Sequence, residues 1–257
     1  MLQHVIRNHQ LLIFLCFCLL ILCSCSSTGQ MPPDSTQAIV GITDGWNSSH
    51  VCLSLVEKNE AGQWKTILGP FQGRIGYHGT AWGRGLHNTP RQGNEKREGD
   101  NRSPAGIFDI GSLYVCNPTP VQHDPALGCV QVGPNDLWVS DPRLPRLYNR
   151  HLRLAHPAAT AWEKHEQMNQ KDYHHSIKML VHHNTAHNGN KPVVGKGSSI
   201  FFHIWRKQGQ YASAGCTTLA EADLRALIAR LNARRHPVYI LLPREEYRRC
   251  RKDWKLP

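Results

Sequence analysis

The interpretation of this chain starts from two stretches near its carboxyl end. Residues 197–205 read Gly-Ser-Ser-Ile-Phe-Phe-His-Ile-Trp, and residues 213–219 read Ser-Ala-Gly-Cys-Thr-Thr-Leu. The first stretch alternates in the way that predicts a buried strand. One side of this strand would carry Ile200, Phe202 and Ile204, and the other Phe201, His203 and Trp205. His203 is therefore expected on a stiff element that fixes the direction of its imidazole.

The second stretch presents a cysteine in front of a predicted helix. Thr218-Leu219-Ala220-Glu221 has the pattern of a capping box, and the helix that it opens has one apolar face. That face consists of Leu224, Leu227, Ile228 and Leu231. Cys216 would lie at the positive end of the helix dipole, where unpaired backbone N–H groups favour a thiolate. Gly215 would let the backbone approach a reacting carbon closely.

These residue types together favour acyl chemistry. A thiol attacks a carbonyl well only as a thiolate, so it needs a nearby base and donors for the oxyanion that forms. The sequence offers Cys216 as nucleophile, His203 as general acid and base, and the backbone near Gly215 as the oxyanion region. Taken singly, such a cysteine or histidine is more often a packed core residue. Their spacing, with the glycine and the capped helix, favours the catalytic interpretation.

Several motifs resemble the YkuD-type L,D-transpeptidases, a family that acts on bacterial peptidoglycan. The pattern Gly-Ser-x-Ile-Phe-x-His followed by Ser-x-Gly-Cys is similar to that family's signature. Further matching segments are residues 96–100 (Lys-Arg-Glu-Gly-Asp), 103–108, 139–142, 148–149 and 192–197. The resemblance covers roughly residues 38–242. It implies a β-rich α+β fold, with a β-sandwich-like catalytic domain and a few flanking helices.

The chain departs from the family pattern at two positions. Many members carry a second histidine where this chain has Ala214, and the chain resembles the branch of the family that has Ala-Gly-Cys. Asn101 stands where a glycine is common. Neither departure touches the nucleophile or the base.

The resemblance also implies a reaction, which requires no cofactor. Cys216, helped by His203, attacks the amide carbonyl of a diamino acid that precedes D-alanine in a tetrapeptide stem, and an amine of another stem resolves the thioester. If water resolves it, the chain is an L,D-carboxypeptidase or a murein-linkage hydrolase. A further alternative is a non-catalytic wall-binding lipoprotein. We expect Ser213 to position His203 or to contribute polarity, and a backbone carbonyl to orient the imidazole, since no acidic residue is close in sequence.

The amino-terminal residues resemble an export signal. Residues 11–23 are an apolar run too short for a spanning helix, which predicts a signal peptide over residues 1–24. Leu22-Cys23-Ser24-Cys25 resembles a lipoprotein box with Cys25 as the lipidated residue, although Cys23 is atypical; an ordinary signal is the alternative. Ser26 is compatible with the outer membrane of a bacterium. We therefore expect a periplasmic protein whose membrane contact is an amino-terminal lipid.

The remaining residues suit one domain. Residues 25–37 read as a polar tether, and residues 38–257 as the catalytic domain with a basic carboxyl-terminal tail. Predicted strands cover residues 38–43, 51–57, 64–69, 107–111, 176–182, 198–205 and 238–242, and a long helix is predicted over 157–169. The oligomeric state stays open.

Five cysteines remain after those of the signal and Cys25 are set aside. Cys116 and Cys129 flank a proline-rich loop and are the predicted disulfide in an oxidising compartment. A bond between Cys52 and Cys250 and the fully reduced state are the alternatives. An odd number leaves at least one thiol free, or in an intermolecular bond.

The net charge of +11 favours acidic wall polymers or anionic lipid, or reflects a solvated tail. Nucleic acid is a poor candidate partner for an exported chain. Histidines crowd one region: His174, His175, His182, His183 and His187. Asn184 and Asn188 disfavour a helical zinc pair there, so we predict no metal site and expect these histidines to line or flank the active-site cleft.

Overall fold

The computed structural model describes residues 30–87, 93–116, 120–169 and 171–257. Within those ranges the chain forms twelve strands and three α-helices. The strands are β1 (Gln37–Thr43), β2 (His50–Lys58), β3 (Trp64–Arg74), β4 (Thr80–Trp82), β5 (Ser103–Cys116), β6 (Cys129–Val132), β7 (Asp136–Val139), β8 (Arg150–Arg153), β9 (Ile177–Val181), β10 (Phe201–Ile204), β11 (Thr217–Leu219) and β12 (Val238–Pro243). The helices are α1 (Ala161–Glu166), α2 (Glu221–Arg230) and α3 (Arg244–Cys250).

Ten of the strands form one sheet that closes on itself. Its order is β12-β1-β2-β3-β11-β10-β9-β5-β4, β6 pairs with β5, and β12 also pairs with β5. The 14-residue β5 makes this closure, because its successive segments pair with β4, β12, β9 and β6. Strands β7 and β8 form a separate hairpin. The predicted β-rich α+β fold with a few flanking helices is confirmed.

The main core lies inside the closed sheet. Inward-facing residues of β1, β2, β5, β9, β10 and β12 pack there with the apolar face of α2. The α2 face consists of Leu224, Leu227, Ile228 and the following Leu231, all buried as the sequence predicts. A fully buried side chain of this size stabilises the fold by about 1.5–3 kcal/mol. The core therefore holds β10 and the start of α2 in fixed positions.

The carboxyl-terminal residues do not form the solvated tail that the sequence suggested. Cys250, Trp254 and Leu256 are buried in a second cluster that also contains Met31 and Trp82. The Met31 N–H donates to the Trp254 carbonyl at 2.9 Å. The apolar residues recur on one side of the last turns, so the basic side chains point outward while the backbone packs. The described part of the predicted tether is also anchored, through Met31.

All seven predicted strands are present, although their bounds differ. Strand β10 begins only at Phe201, because Ser199 has a left-handed backbone (φ 56°). The predicted helix over 157–169 is reduced to α1, which a capping box of Thr160 and Glu163 opens. The unpredicted strands β4, β6, β7, β8 and β11 are three or four residues long. No helix in the described ranges has the length and apolarity that crossing a membrane requires.

Candidate active site

Cys216 and His203 come from neighbouring parallel strands. In the β10–β11 register Phe202 pairs with Thr217 and His203 with Thr218, so Cys216, just before β11, lies beside Phe201. Side chains alternate along β10, and Phe202 enters the main core while Phe201 and His203 face the other way. The alternation predicted for this strand is confirmed.

Both residues line one cavity of about 270 Å³, which we call the cysteine cavity. Its walls are Trp138, Ser140, His165, Glu166, Gln167, Met168, His175, Lys178, Ser199, Phe201, His203 and Cys216. The thiol and the imidazole therefore face the same space.

His203 is buried and electrically neutral at physiological pH. Burial, with the neighbouring His175, lowers the pKa of His203 to about 3. Its Nδ1 lies 2.9 Å from the Ile204 carbonyl, so Nδ1 carries the proton and Nε2 is left as the acceptor. The expected orientation of the imidazole by a backbone carbonyl is confirmed. A neutral ring with Nε2 as acceptor is the form that a general base requires.

The Cys216 thiol is also neutral in this structure. Burial raises its pKa to about 11, against the opposing effects of the Phe201 N–H and the Lys178 ammonium. Its Sγ lies 3.4 Å from the Ser199 carbonyl, to which the thiol donates. Because thiol and imidazole are both uncharged, proton transfer must accompany attack on a carbonyl rather than precede it.

The predicted capping box at Thr218, with Cys216 directly ahead of the helix, is wrong. Thr217–Leu219 is strand β11, and helix α2 begins at Glu221 after Ala220, which has no side-chain cap. Parallel pairing with β10 takes the backbone groups that a capping box would have used. The dipole of α2 therefore does not act on the sulfur at close range.

Ser213 and Gly215 shape the turn that carries Cys216. The Ser213 hydroxyl donates to the Cys216 carbonyl at 2.5 Å and accepts from the Gly215 N–H at 3.0 Å, so it positions Cys216 and not His203. The Gly215 N–H is thus engaged and is not free for an oxyanion. Glycine is required here because a Cβ would stand 3.0 Å from the Arg102 carbonyl, at a φ of 152°. Ser103, whose hydroxyl donates to the Gly215 carbonyl at 2.6 Å, holds the same turn.

A second imidazole, which the sequence offered only as one of five histidines expected to line or flank the cleft, lies against His203. The His175 and His203 rings are 4.5 Å apart. His175 Nδ1 is 3.1 Å from Asp172 Oδ2, and the same carboxylate accepts from Arg206 at 2.8 Å. Burial and the Lys178 charge lower the pKa of His175. Asp172 lies 31 positions before His203 in the sequence, so no local pattern could have predicted that its carboxylate would hold His175 against His203.

The segments that carry the family resemblance hold the cavity walls. Asn149 Oδ1 accepts from the Ser199 N–H at 3.0 Å and from Trp138 Nε1 at 2.9 Å. The Tyr148 hydroxyl donates to Glu98 at 2.5 Å. Asn149 thereby fixes the backbone that contacts the Cys216 thiol.

Most of the crowded histidines lie elsewhere. His175 lines the cysteine cavity, but His182 and His187 line a different cavity of about 290 Å³, which we call the histidine cavity. His183 is fully buried and hydrogen-bonds to the Arg84 N–H and the Lys196 carbonyl. The expectation that the whole group borders the active-site cleft is therefore wrong, because the chain turns after β9. Among the described residues, no three histidine, cysteine, aspartate or glutamate side chains converge on a metal position.

The predicted disulfide between Cys116 and Cys129 does not form. Both are free thiols, as are Cys52, Cys216 and Cys250. In the β5–β6 register Cys116 pairs with Val132 and Cys129 with Leu113. The two cysteines are thus offset by three residues, roughly 10 Å along the strands, which is beyond disulfide reach. The predicted signal peptide over 1–24 and the lipidation of Cys25 lie outside the described residues.

Comparison with known proteins gives one family. The family model YkuD, L,D-transpeptidase catalytic domain, matches residues 42–240. No curated protein matches the chain. Among solved structures the chain is similar to Bd1075 of Bdellovibrio bacteriovorus, with 13% sequence identity and a TM-score of 0.39. That match covers 89% of this chain and 57% of the other, so the chain spans somewhat more than half of that protein's length.

Proposed function

The chain belongs to the YkuD family of L,D-transpeptidase catalytic domains, which act on peptidoglycan, and from this premise we propose that it is a cysteine-dependent L,D-transpeptidase. The donor is the bond between a diamino acid and D-alanine in a tetrapeptide stem, and the acceptor is an amine of another stem. One observation carries the proposal: Cys216 and His203, from adjacent strands, line the same cavity.

Acylation uses the neutral pair described above. As Cys216 Sγ bonds to the carbonyl carbon of the diamino acid, its proton passes to His203 Nε2. The C–N bond to D-alanine then breaks, and the leaving amine takes the proton from the imidazolium. The Lys178 ammonium, which opposes the rise in the Cys216 pKa, stabilises negative charge on sulfur while the bond forms.

The second half of the reaction releases the sulfur. An acceptor amine bonds to the thioester carbon and gives a proton to His203, the C–S bond breaks, and the sulfur regains that proton. If water replaces the amine, the product is a tripeptide, and the chain is an L,D-carboxypeptidase. The same site supports both outcomes.

Incubation with purified disaccharide-tetrapeptides, followed by mass analysis, tests the proposal. Dimers that have lost one D-alanine indicate transfer, tripeptides indicate hydrolysis, and an unchanged mass excludes both reactions. Replacement of Cys216 by Ala is expected to abolish turnover, since the nucleophile is lost. The matched control is Cys129→Ala at an exposed thiol, which should keep full activity. Turnover that survives Cys216→Ala would exclude the proposed nucleophile.

We also propose that the chain is exported and anchored by lipid on Cys25. The support is the apolar run at residues 11–23 and the cysteine that follows it. Labelling of cells with a palmitate analogue should mark the wild-type chain and not the Cys25→Ser variant. Equal labelling of both would exclude this anchor.

A further inference from the structure

One wall of the cysteine cavity carries a buried carboxylate without a counter-ion. Glu166, at the end of α1, is only 5% exposed. Its Oε2 accepts from the Ser140 N–H at 2.7 Å and from the Ser140 hydroxyl at 2.9 Å. Within the described residues no lysine, arginine or histidine nitrogen pairs with it. Two neutral donors orient this carboxylate, but they do not neutralise it.

Another wall of the cysteine cavity carries a buried positive charge that also has no counter-ion among the described residues. Lys178, in β9, is also 5% exposed. Its Nζ donates to the Met168 carbonyl at 2.6 Å, which uses one of the three ammonium hydrogens. In the part of the chain that the structure describes, no carboxylate pairs with this ammonium. Burial lowers the pKa of Lys178 in spite of the smaller opposing effect of the Asp172 charge, which lies beyond ion-pair distance.

The two charges face one space beside the nucleophile. A cavity of about 270 Å³ has room for roughly nine water molecules at their volume in the liquid, which is enough for the end of an amino acid. Buried charges are normally paired, so two unpaired charges of opposite sign on the walls of one cavity are complementary to a ligand that carries both signs.

We infer that Glu166 and Lys178 determine substrate specificity by binding a zwitterionic side-chain end, Glu166 its ammonium and Lys178 its carboxylate. The inference rests on the proposed function. In the proposed reaction, the diamino acid whose carbonyl Cys216 attacks directs its side chain into this cavity. The two wall charges then fit a side chain whose distal carbon carries both an amine and a carboxylate. A lysine at that position offers the ammonium alone.

Three synthetic donor tetrapeptides test the assignment with the full chain: one with diaminopimelic acid, one with its distal carboxylate amidated, and one with lysine. Wild-type kcat/KM is expected to be about tenfold or more higher for the first, because a charge-assisted hydrogen bond is lost in the others. Lys178→Met should remove that preference, so that the kcat/KM values of the three donors lie within about twofold of one another, whatever the common loss from the effect of Lys178 on the Cys216 sulfur. Equal losses for all three donors would overturn the role of Lys178.

The carboxylate is tested with a fourth donor, in which the distal amine is acetylated. Glu166→Gln keeps an oxygen for the Ser140 N–H, and it should lower kcat/KM about tenfold for the free amine and little for the acetylated donor. An equal loss of kcat/KM for the free and the acetylated donor would overturn the role of Glu166. Lys191→Met and Glu245→Gln, at exposed positions, are the charge-matched controls and should leave every ratio unchanged.

A binding measurement separates this inference from the proposed reaction. Calorimetry with the Cys216→Ala protein and the same peptides needs no turnover. If no donor reacts with the wild type, yet the Cys216→Ala protein binds the zwitterionic peptide about tenfold more tightly than the amidated one, the proposed function fails and the inference stands. Equal affinities for the two peptides would overturn the inference whatever the turnover.

Discussion

The cysteine cavity and the histidine cavity have nearly the same volume and both are lined by imidazoles, but they differ in how their charges are paired. In the histidine cavity Asp109 Oδ2 accepts from His187 Nε2 and from Asn188 at 2.9 Å each. His187 stacks on His182, whose Nδ1 contacts Thr185 at 2.9 Å. Each of these groups is satisfied by a neighbour.

In the cysteine cavity the charged groups have only neutral hydrogen-bond partners among the described residues. Glu166 and Lys178 have no described counter-ion, and Nε2 of His203 is left as an acceptor. An accumulation of polar residues therefore does not identify a functional site. The feature that distinguishes the cysteine cavity is two charged groups that the fold buries and orients without a counter-ion.

The largest effect is expected when one histidine in each of the two cavities is replaced by glutamine. His203→Gln is expected to lower kcat by about 10²–10⁴-fold, since the general base is lost. The measurement is turnover of the tetrapeptide donor at saturating concentration. His187→Gln in the histidine cavity should change kcat less than about twofold, and a large loss there would contradict the division of roles.

A second test concerns the protonation state of the nucleophile. A Cys216 pKa of about 11 means that alkylation by iodoacetamide rises with pH, about tenfold per unit and about a thousandfold from pH 7 to 10. Peptide mass analysis gives the rate at Cys216 separately from that at the other thiols. A rate at pH 7 already equal to that at pH 10 would mean a preformed thiolate and imidazolium, against the neutral pair.

A third test uses two buried histidines that lie outside the cysteine cavity, His87 and His183. Burial lowers the pKa of His87 to about 4 and of His183 to about 3, while the unfolded chain takes up these protons near pH 6.5. The contribution to the free energy of unfolding is complete above pH 6.5 and is lost as the pH falls toward 4. Each histidine adds a slope of about 1.4 kcal/mol per pH unit.

Urea unfolding between pH 7 and 4.5 measures that slope. His183→Gln, which keeps a hydrogen-bonding amide, should reduce the slope by about 1.4 kcal/mol per pH unit, the contribution of one histidine. An unchanged slope in this variant would show that His183 is protonated in the folded state.

The smallest expected effects distinguish the two aspartates. Asp172→Asn loosens His175 and should lower kcat about tenfold and alter its pH profile, with little change in stability. Asp109→Asn weakens the bonds to His187 and Asn188 and should cost about 1 kcal/mol of stability, with kcat unchanged. Steady-state kinetics and thermal melts of both variants measure these effects. A loss of kcat in Asp109→Asn would contradict the difference between the two aspartates.

The pairing of Cys216 with His203 was accessible to sequence analysis, because both signals are local. Alternation in residues 200–205 fixes which side the imidazole faces, and a glycine before a cysteine marks a tight turn. The helix face of Leu224, Leu227 and Ile228 was predicted for the same reason. The capping box predicted at Thr218 does not form, because the backbone there pairs with β10 instead. Local sequence carries no information about such a distant pairing partner.

Residue types at short and regular spacings were enough to establish the family and the β-rich class of the fold, and to single out Cys216 and His203 as the candidate nucleophile and base. Only the tertiary structure decided which charges remain unpaired and which cysteines are too far apart to bond. Glu166 in α1, Lys178 in β9 and Cys216 just before β11 are far apart along the chain and meet only in the folded protein. The offset of Cys116 and Cys129 is a matter of strand register. Whether a charge has a counter-ion depends on distances in space, which spacing along the chain does not fix.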